Sequence, residues 1–132
     1  MILLDRSLRA LEESDWAQAD DPLYGPGIVG QFQLTALTGL RALEMLLYLE
    51  GTADSIPIPP GELIRLGTGR GYIEDPLVWI PILEHTVTTP NEMPADEIAQ
   101  LADNIRSDYL PALYNLREAI GSSPDWDKEE ED

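Results

Sequence analysis

The chain has 132 residues, with 25 Asp and Glu against 8 Lys and Arg, for a formal net charge of −17 and an isoelectric point near 4.1. Direct nucleic-acid binding is not expected, because neutralising phosphates takes clustered Lys and Arg that this sequence lacks. It has no cysteine, which excludes disulfides, thiolate metal sites and cysteine nucleophiles.

A hydrophobic content of 43% with a single Phe suits one domain, spanning 1–121, whose core rests on Leu and Ile. The opening MILLDRSLRALEES has no basic segment before its short apolar cluster, so no secretory signal is expected and the expected location is intracellular, cytoplasmic. Leu4, Leu8 and Leu11, with Asp5, Arg9 and Glu13 at four-residue steps, predict an amphipathic helix over 4–19. Asp20, Asp21 and Pro22 stop it, and LYGPGIVG reads as a turn-rich connector.

The stretch 28–50 is the longest apolar run and predicts the central helix. Leu34, Leu37, Leu40, Leu43, Leu46, Leu47 and Leu49 recur at helical steps, while Gln31, Thr35, Thr38, Arg41 and Tyr48 form a narrow polar stripe on which Arg41 pairs with Glu44. Gly51 stands where a left-handed cap would close it. Arg41, Glu44 and Glu50 interrupt the run too often for a membrane span.

The segment 52–93 reads as an irregular insertion. Pro57, Pro59 and Pro60 demand extended chain. Leu63 to Leu66 and Tyr72 to Ile73 flank GTGRG and allow a short β-hairpin. Asp75 and Pro76 look like a helix start, but Pro81 should break that helix, so LVWIPILEHTVTT is either one helical turn leading to extended chain or a short strand. From Pro94 the apolar positions Ile98, Leu101, Ala102, Ile105, Tyr109, Leu113, Leu116 and Ile120 predict a long helix over 94–120, bent at Pro111 and ended by Gly121. The acidic tail, 122–132, reads as solvated, with Trp126 an anchor for a partner groove or for the domain's own surface. The expected fold is thus mainly α: a small bundle of three principal helices around a central apolar helix.

Three constellations could carry chemistry. Gly67, Gly69 and Gly71 beside Arg65 and Arg70 could cradle an anion through backbone N–H groups, but the spacing fits no known phosphate loop and a plain turn is the simpler reading. His85, next to Glu84, is the only histidine, and a catalytic base would need an oriented partner that the sequence does not identify. Glu12, Glu13, Asp15, Asp20, Asp21, Asp103 and Asp108 could supply a divalent-metal site, yet only Glu12 and Asp15 have helical metal-motif spacing.

Without a catalytic signature or an implied cofactor, the expected function is a non-enzymatic acidic interaction domain that binds a basic partner, as inhibitors, immunity proteins and nucleic-acid mimics do. Its partner-binding candidates are Asp125, Trp126, Asp127, Glu129 and Glu130 in the tail, and Arg65 and Arg70 in the glycine-rich turn. The alternatives are a structural or adaptor subunit that meets neighbouring subunits of an assembly, and a small metal-dependent hydrolase. The acidity has two further readings, a plain solubility property and an adaptation to high salt.

Overall fold

The computed structural model describes residues 1–14, 16–19, 21 and 24–126. Its elements are helices α1 (Ile2–Glu12), α2 (Gly25–Leu49), α3 (Pro60–Gly69), α4 (Pro76–His85), α5 (Ala95–Asn104) and α6 (Leu110–Gly121). A π turn, Ile105–Tyr109, joins α5 to α6, and short 3-10 turns lie at Trp16–Gln18 and Pro90–Glu92. The mainly α expectation holds. Among the described residues there is no strand, and no helix is long and apolar enough to cross a membrane.

α2 is the centre, in contact with α1, α3, α5 and α6. Its buried positions, Gly25, Ile28, Val29, Phe32, Thr35, Ala36, Gly39, Leu40, Leu43, Leu46 and Leu47, repeat every three to four residues and trace one wide stripe. Each fully buried Leu or Ile on it contributes roughly 1.5–3 kcal/mol of transfer free energy. Thr35 belongs to this stripe and not to a polar one, because its hydroxyl donates to the Ser7 carbonyl of α1 or the Gln31 carbonyl. Leu34, Leu37 and Leu49, expected in the core, are exposed. The expected Arg41–Glu44 pair is absent too: Glu44 Oε2 accepts the Ile58 N–H at 2.8 Å instead.

The first helix stops at Glu12, earlier than expected. Its last carbonyls are taken by side chains, Ser14 Oγ donating to Ala10 O at 3.1 Å and Trp16 Nε1 to Glu12 O at 3.2 Å, which satisfies groups a longer helix would otherwise pair. α2 begins at Gly25, inside the expected connector. A Cβ on Gly25 would lie 2.4 Å from the Ala19 carbonyl oxygen and 2.7 Å from Ile98 Cγ2, so this glycine serves close packing and not a turn.

The insertion is far more regular than expected. The glycine-rich segment is the end of α3, not a hairpin: its apolar residues Leu63 and Ile64 are buried on a helical face. α4 runs through Pro81. Pro76 starts it and Asp75 Oδ1 accepts the Leu77 N–H at 3.0 Å, while the bond Pro81 lacks is to the carbonyl of Leu77, a residue 72% exposed where water can replace it. At its far end Gln33 Nε2 of α2 donates at 2.8 Å to the carbonyls of His85 and Thr88.

The long C-terminal helix survives Pro111 by widening. Leu110 N–H reaches back five residues to Ile105 O, and this wider turn gives the proline ring room beside the Ser107 carbonyl. All eight apolar positions expected on its stripe are buried. α6 is tied to α1 by Arg117, whose Nε and Nη2 donate to the two oxygens of Asp5 at 2.7 and 3.2 Å, and by Tyr114 Oη, which donates to Glu12 Oε2 at 2.6 Å.

Candidate functional site: an acidic cleft beside the π turn

The residues singled out in the sequence do not come together. Arg65 pairs with Glu62 one turn before it, and Arg70 Nε donates to Glu50 Oε1, so neither is a spare cation awaiting a partner. The glycines around them have structural roles. Gly71, at φ +83°, closes α3 with Tyr72 N–H to Gly67 O and Gly71 N–H to Thr68 O, the double bond pattern of a glycine-capped C-terminus. Gly51, at φ +84°, closes α2 in the same way. A Cβ on Gly67 would meet Leu43 Cδ2 at 2.9 Å, so no open anion cradle exists there.

Trp126 is 6% exposed and belongs to the hydrophobic core; it is held by its own domain and does not project from it. Asp125 is half-buried beside it. Asp127, Glu129 and Glu130 lie outside the described residues, as do Asp15 and Asp20. Among the described residues no three His, Asp or Glu side chains converge on a point that could hold a metal ion, and Glu12 is engaged by Tyr114. His85 is half-buried, its ring 6.0 Å from that of Tyr109, and among the described residues its Nδ1 has no hydrogen-bond partner and no nucleophile is hydrogen-bonded to its ring.

What the fold does assemble is a cleft of about 690 Å³ bounded by the 72–75 loop, α4, the π turn and the start of α6. Its apolar walls come from Val78, Trp79, Pro81 and Pro111, and its polar groups from Glu74, Asp75, Asn104, Ser107, Asp108 and Asn115. No Lys or Arg is among its described lining residues, and Glu74 and Asp108 form no ion pair with any described residue. The π turn contributes Ser107, Asp108 and Tyr109 to the wall, and such wide turns recur at functional sites. Burial, reinforced by the negative charge of Asp108 and Glu84, pushes the Tyr109 hydroxyl above its ordinary value, so it stays a neutral donor. Its ring stacks on Phe32 of α2 at 5.7 Å, which fixes this wall to the central helix.

The charge asymmetry behind this cleft is legible in the sequence, as a run of carboxylates free of positive charge. Between Gly71 and Ile105 the carboxylates Glu74, Asp75, Glu84, Glu92, Asp96, Glu97 and Asp103 occur with no Lys or Arg. The structure places that stretch in the 72–75 loop, α4, the 3-10 turn at Pro90, α5 and the segments between them, and every one of the seven is exposed. Elsewhere arginine is interspersed and partly neutralised, as at Asp5, Glu50 and Glu62.

No protein-family model matches the chain, and no curated protein and no solved structure is significantly similar to it. The functional reading therefore rests on this geometry.

Proposed function

We propose that the protein is a non-enzymatic interaction domain that binds a basic protein partner through the face built by α4, the π turn and α5. The observation that carries this is the cleft with unpaired Glu74 and Asp108 on its walls and no Lys or Arg among its described lining residues, beside the cation-free stretch 72–104. Carboxylates spread over one face attract a cationic surface at long range, and a cleft with low-dielectric walls focuses that field. Aromatic and proline walls give the aliphatic stem of an inserted Arg or Lys something to pack against.

The test is binding of a fluorescent arginine-rich peptide across a salt series. Affinity should fall as salt rises, and the Glu74→Gln/Asp108→Asn variant should bind about tenfold more weakly, as expected from losing contacts worth roughly 1.4 kcal/mol in total. The Glu13→Gln/Asp54→Asn variant removes equal charge at exposed positions away from this face and should change affinity far less. Equal loss in both variants, or binding indifferent to salt, overturns the reading.

A second reading, a structural or adaptor subunit, is favoured by Leu77, Ile80 and Val87, which are 72%, 53% and 82% exposed. Apolar side chains exposed together in one region are the usual material of a subunit contact. Sedimentation at rising concentration tests it: a monomer throughout, with no co-purifying partner, removes it.

A further inference from the structure

A second groove, of about 620 Å³, runs between the start of α1 and the middle of α2 and is closed on one side by Trp126. Its character is opposite to that of the acidic cleft. Met1, Leu4, Ala42 and Met45 make it mainly apolar, Arg41 is the single charged side chain among its described lining residues, and no carboxylate is among them. That is unusual for a chain with 25 Asp and Glu. Arg41 is exposed and makes no hydrogen bond or ion pair with any described residue, since the Glu44 carboxylate one turn away is turned to the Ile58 N–H. The Trp126 indole is buried, and its N–H has no acceptor among the described residues.

We propose that this groove binds an aliphatic carboxylate of fatty-acid type, its headgroup at Arg41 and its chain along Met1, Ile2, Leu3, Ala42 and Met45, with Trp126 at the groove's edge. The occupant follows from charge complementarity. An anionic head meets Arg41, which has no partner among the described residues, whereas a cationic amphiphile would be repelled by it, and the apolar body covers Ile2 and Leu3, which are 70% and 64% exposed. A volume of this size lies within the range of roughly 300–1,000 Å³ typical of small-molecule sites. Because the groove lies on α1 and α2 and shares no lining residue with the acidic cleft, the proposal stands independently of the basic-partner reading.

Calorimetric titration of the full chain with decanoate, below its micelle concentration, tests it, with decylamine and a short amphipathic helical peptide as comparison probes. Decanoate should bind saturably at one site, decylamine at least about tenfold more weakly. The Arg41→Gln variant, changed at an exposed position and checked for native circular dichroism, should weaken decanoate about tenfold and erase the preference over decylamine, a factor appropriate to one favourable charge contact. The tryptophan emission change on binding should be lost in Trp126→Phe, since neither Trp16 nor Trp79 lines the groove. Absence of saturable decanoate binding, equal binding of decylamine, or an unchanged affinity in Arg41→Gln overturns the proposal. So does preferential uptake of the peptide, which would make the groove a protein-docking site.

Discussion

Arg70 Nε donates to Glu50 Oε1 at 3.0 Å, joining the capping residue of α3 to the capping residue of α2. Tyr72 Oη and Thr52 Oγ1 donate to the same carboxylate, whose side chain is 4% exposed. A buried negative charge at two helix C-termini is unfavourable by itself, and these donors offset it. Burial alone would raise the Glu50 carboxyl, but the bonds from Tyr72, Thr52 and Arg70 together hold it below its ordinary value. Glu50→Ala strands the Tyr72 and Thr52 hydroxyls and should cost about 2 kcal/mol in urea unfolding, the scale of a charged hydrogen-bond acceptor.

The pH dependence follows with a definite sign. Asp5, held down first by its hydrogen bonds from Arg117, and Glu50 both have folded values lowered from the ordinary carboxyl values of 3.8 and 4.5. Their contribution is present above those values and is lost as pH falls through the lower folded ones. The stability difference between the native protein and Asp5→Asn/Glu50→Gln should be full near about pH 7, shrink as pH falls below the ordinary carboxyl values, and vanish only below the lowered folded ones. A difference that persists in acid would show that the two carboxylates act through shape and not through charge.

The glycines mark where sequence reasoning worked and where it failed. Gly51 is legible as a helix cap because a left-handed residue directly after an apolar helical run has one common use. The stripe from Ile98 to Ile120 is legible for the same reason: period alone places it. Gly67, Gly69 and Gly71 mislead, since a glycine that permits a turn and a glycine that permits close helix packing look alike until the neighbour is known. Pro81 and Pro111 mislead similarly, because whether a helix tolerates a proline depends on whether the freed carbonyl is hydrated or the turn can widen. The acidic cleft joins Glu74 to Asp108, residues 34 apart in sequence, and only the packing of α4 on the π turn reveals it.

Close packing and turn geometry make opposite predictions for alanine in α3. At Gly67 the added Cβ meets Leu43 Cδ2 at 2.9 Å and Ile73 Cδ1 at 3.0 Å, so overpacking should cost about 1–3 kcal/mol and outweigh the helix-propensity gain. At Gly69 nothing lies within 4 Å and φ is not positive, so Gly69→Ala should stabilise by about 0.5–1 kcal/mol. Urea midpoints of the two variants, moving in opposite directions, check this. A gain at both positions would mean that α3 is not pressed against α2 at Gly67.

On the alkaline side Tyr114 governs the contact between α6 and α1. Burial, and then its hydrogen bond to Glu12, push its hydroxyl from 10.0 up to about 12. A raised folded value means the stabilisation is complete below the unfolded value and is lost as pH rises toward the folded one. Stability should therefore fall between those two values, by on the order of 2 kcal/mol from this residue. Tyr114→Phe should flatten that part of the profile and leave the acid side unchanged.

Trp126 separates burial from partner binding. Its indole fills core space yet its N–H has no acceptor among the described residues, so the ring contributes through packing while the donor carries a desolvation cost. Trp126→Ala should lose about 3 kcal/mol, as for other buried aromatic truncations. Trp126→Phe keeps most of the packing and removes the unmet donor, so it should lose no more than about 1 kcal/mol. If Trp126 were instead an anchor for a partner, truncation to alanine would leave unfolding unchanged and reduce affinity for the arginine-rich peptide. The placement in the core predicts the reverse, with stability falling steeply and affinity of the folded fraction set by Glu74 and Asp108.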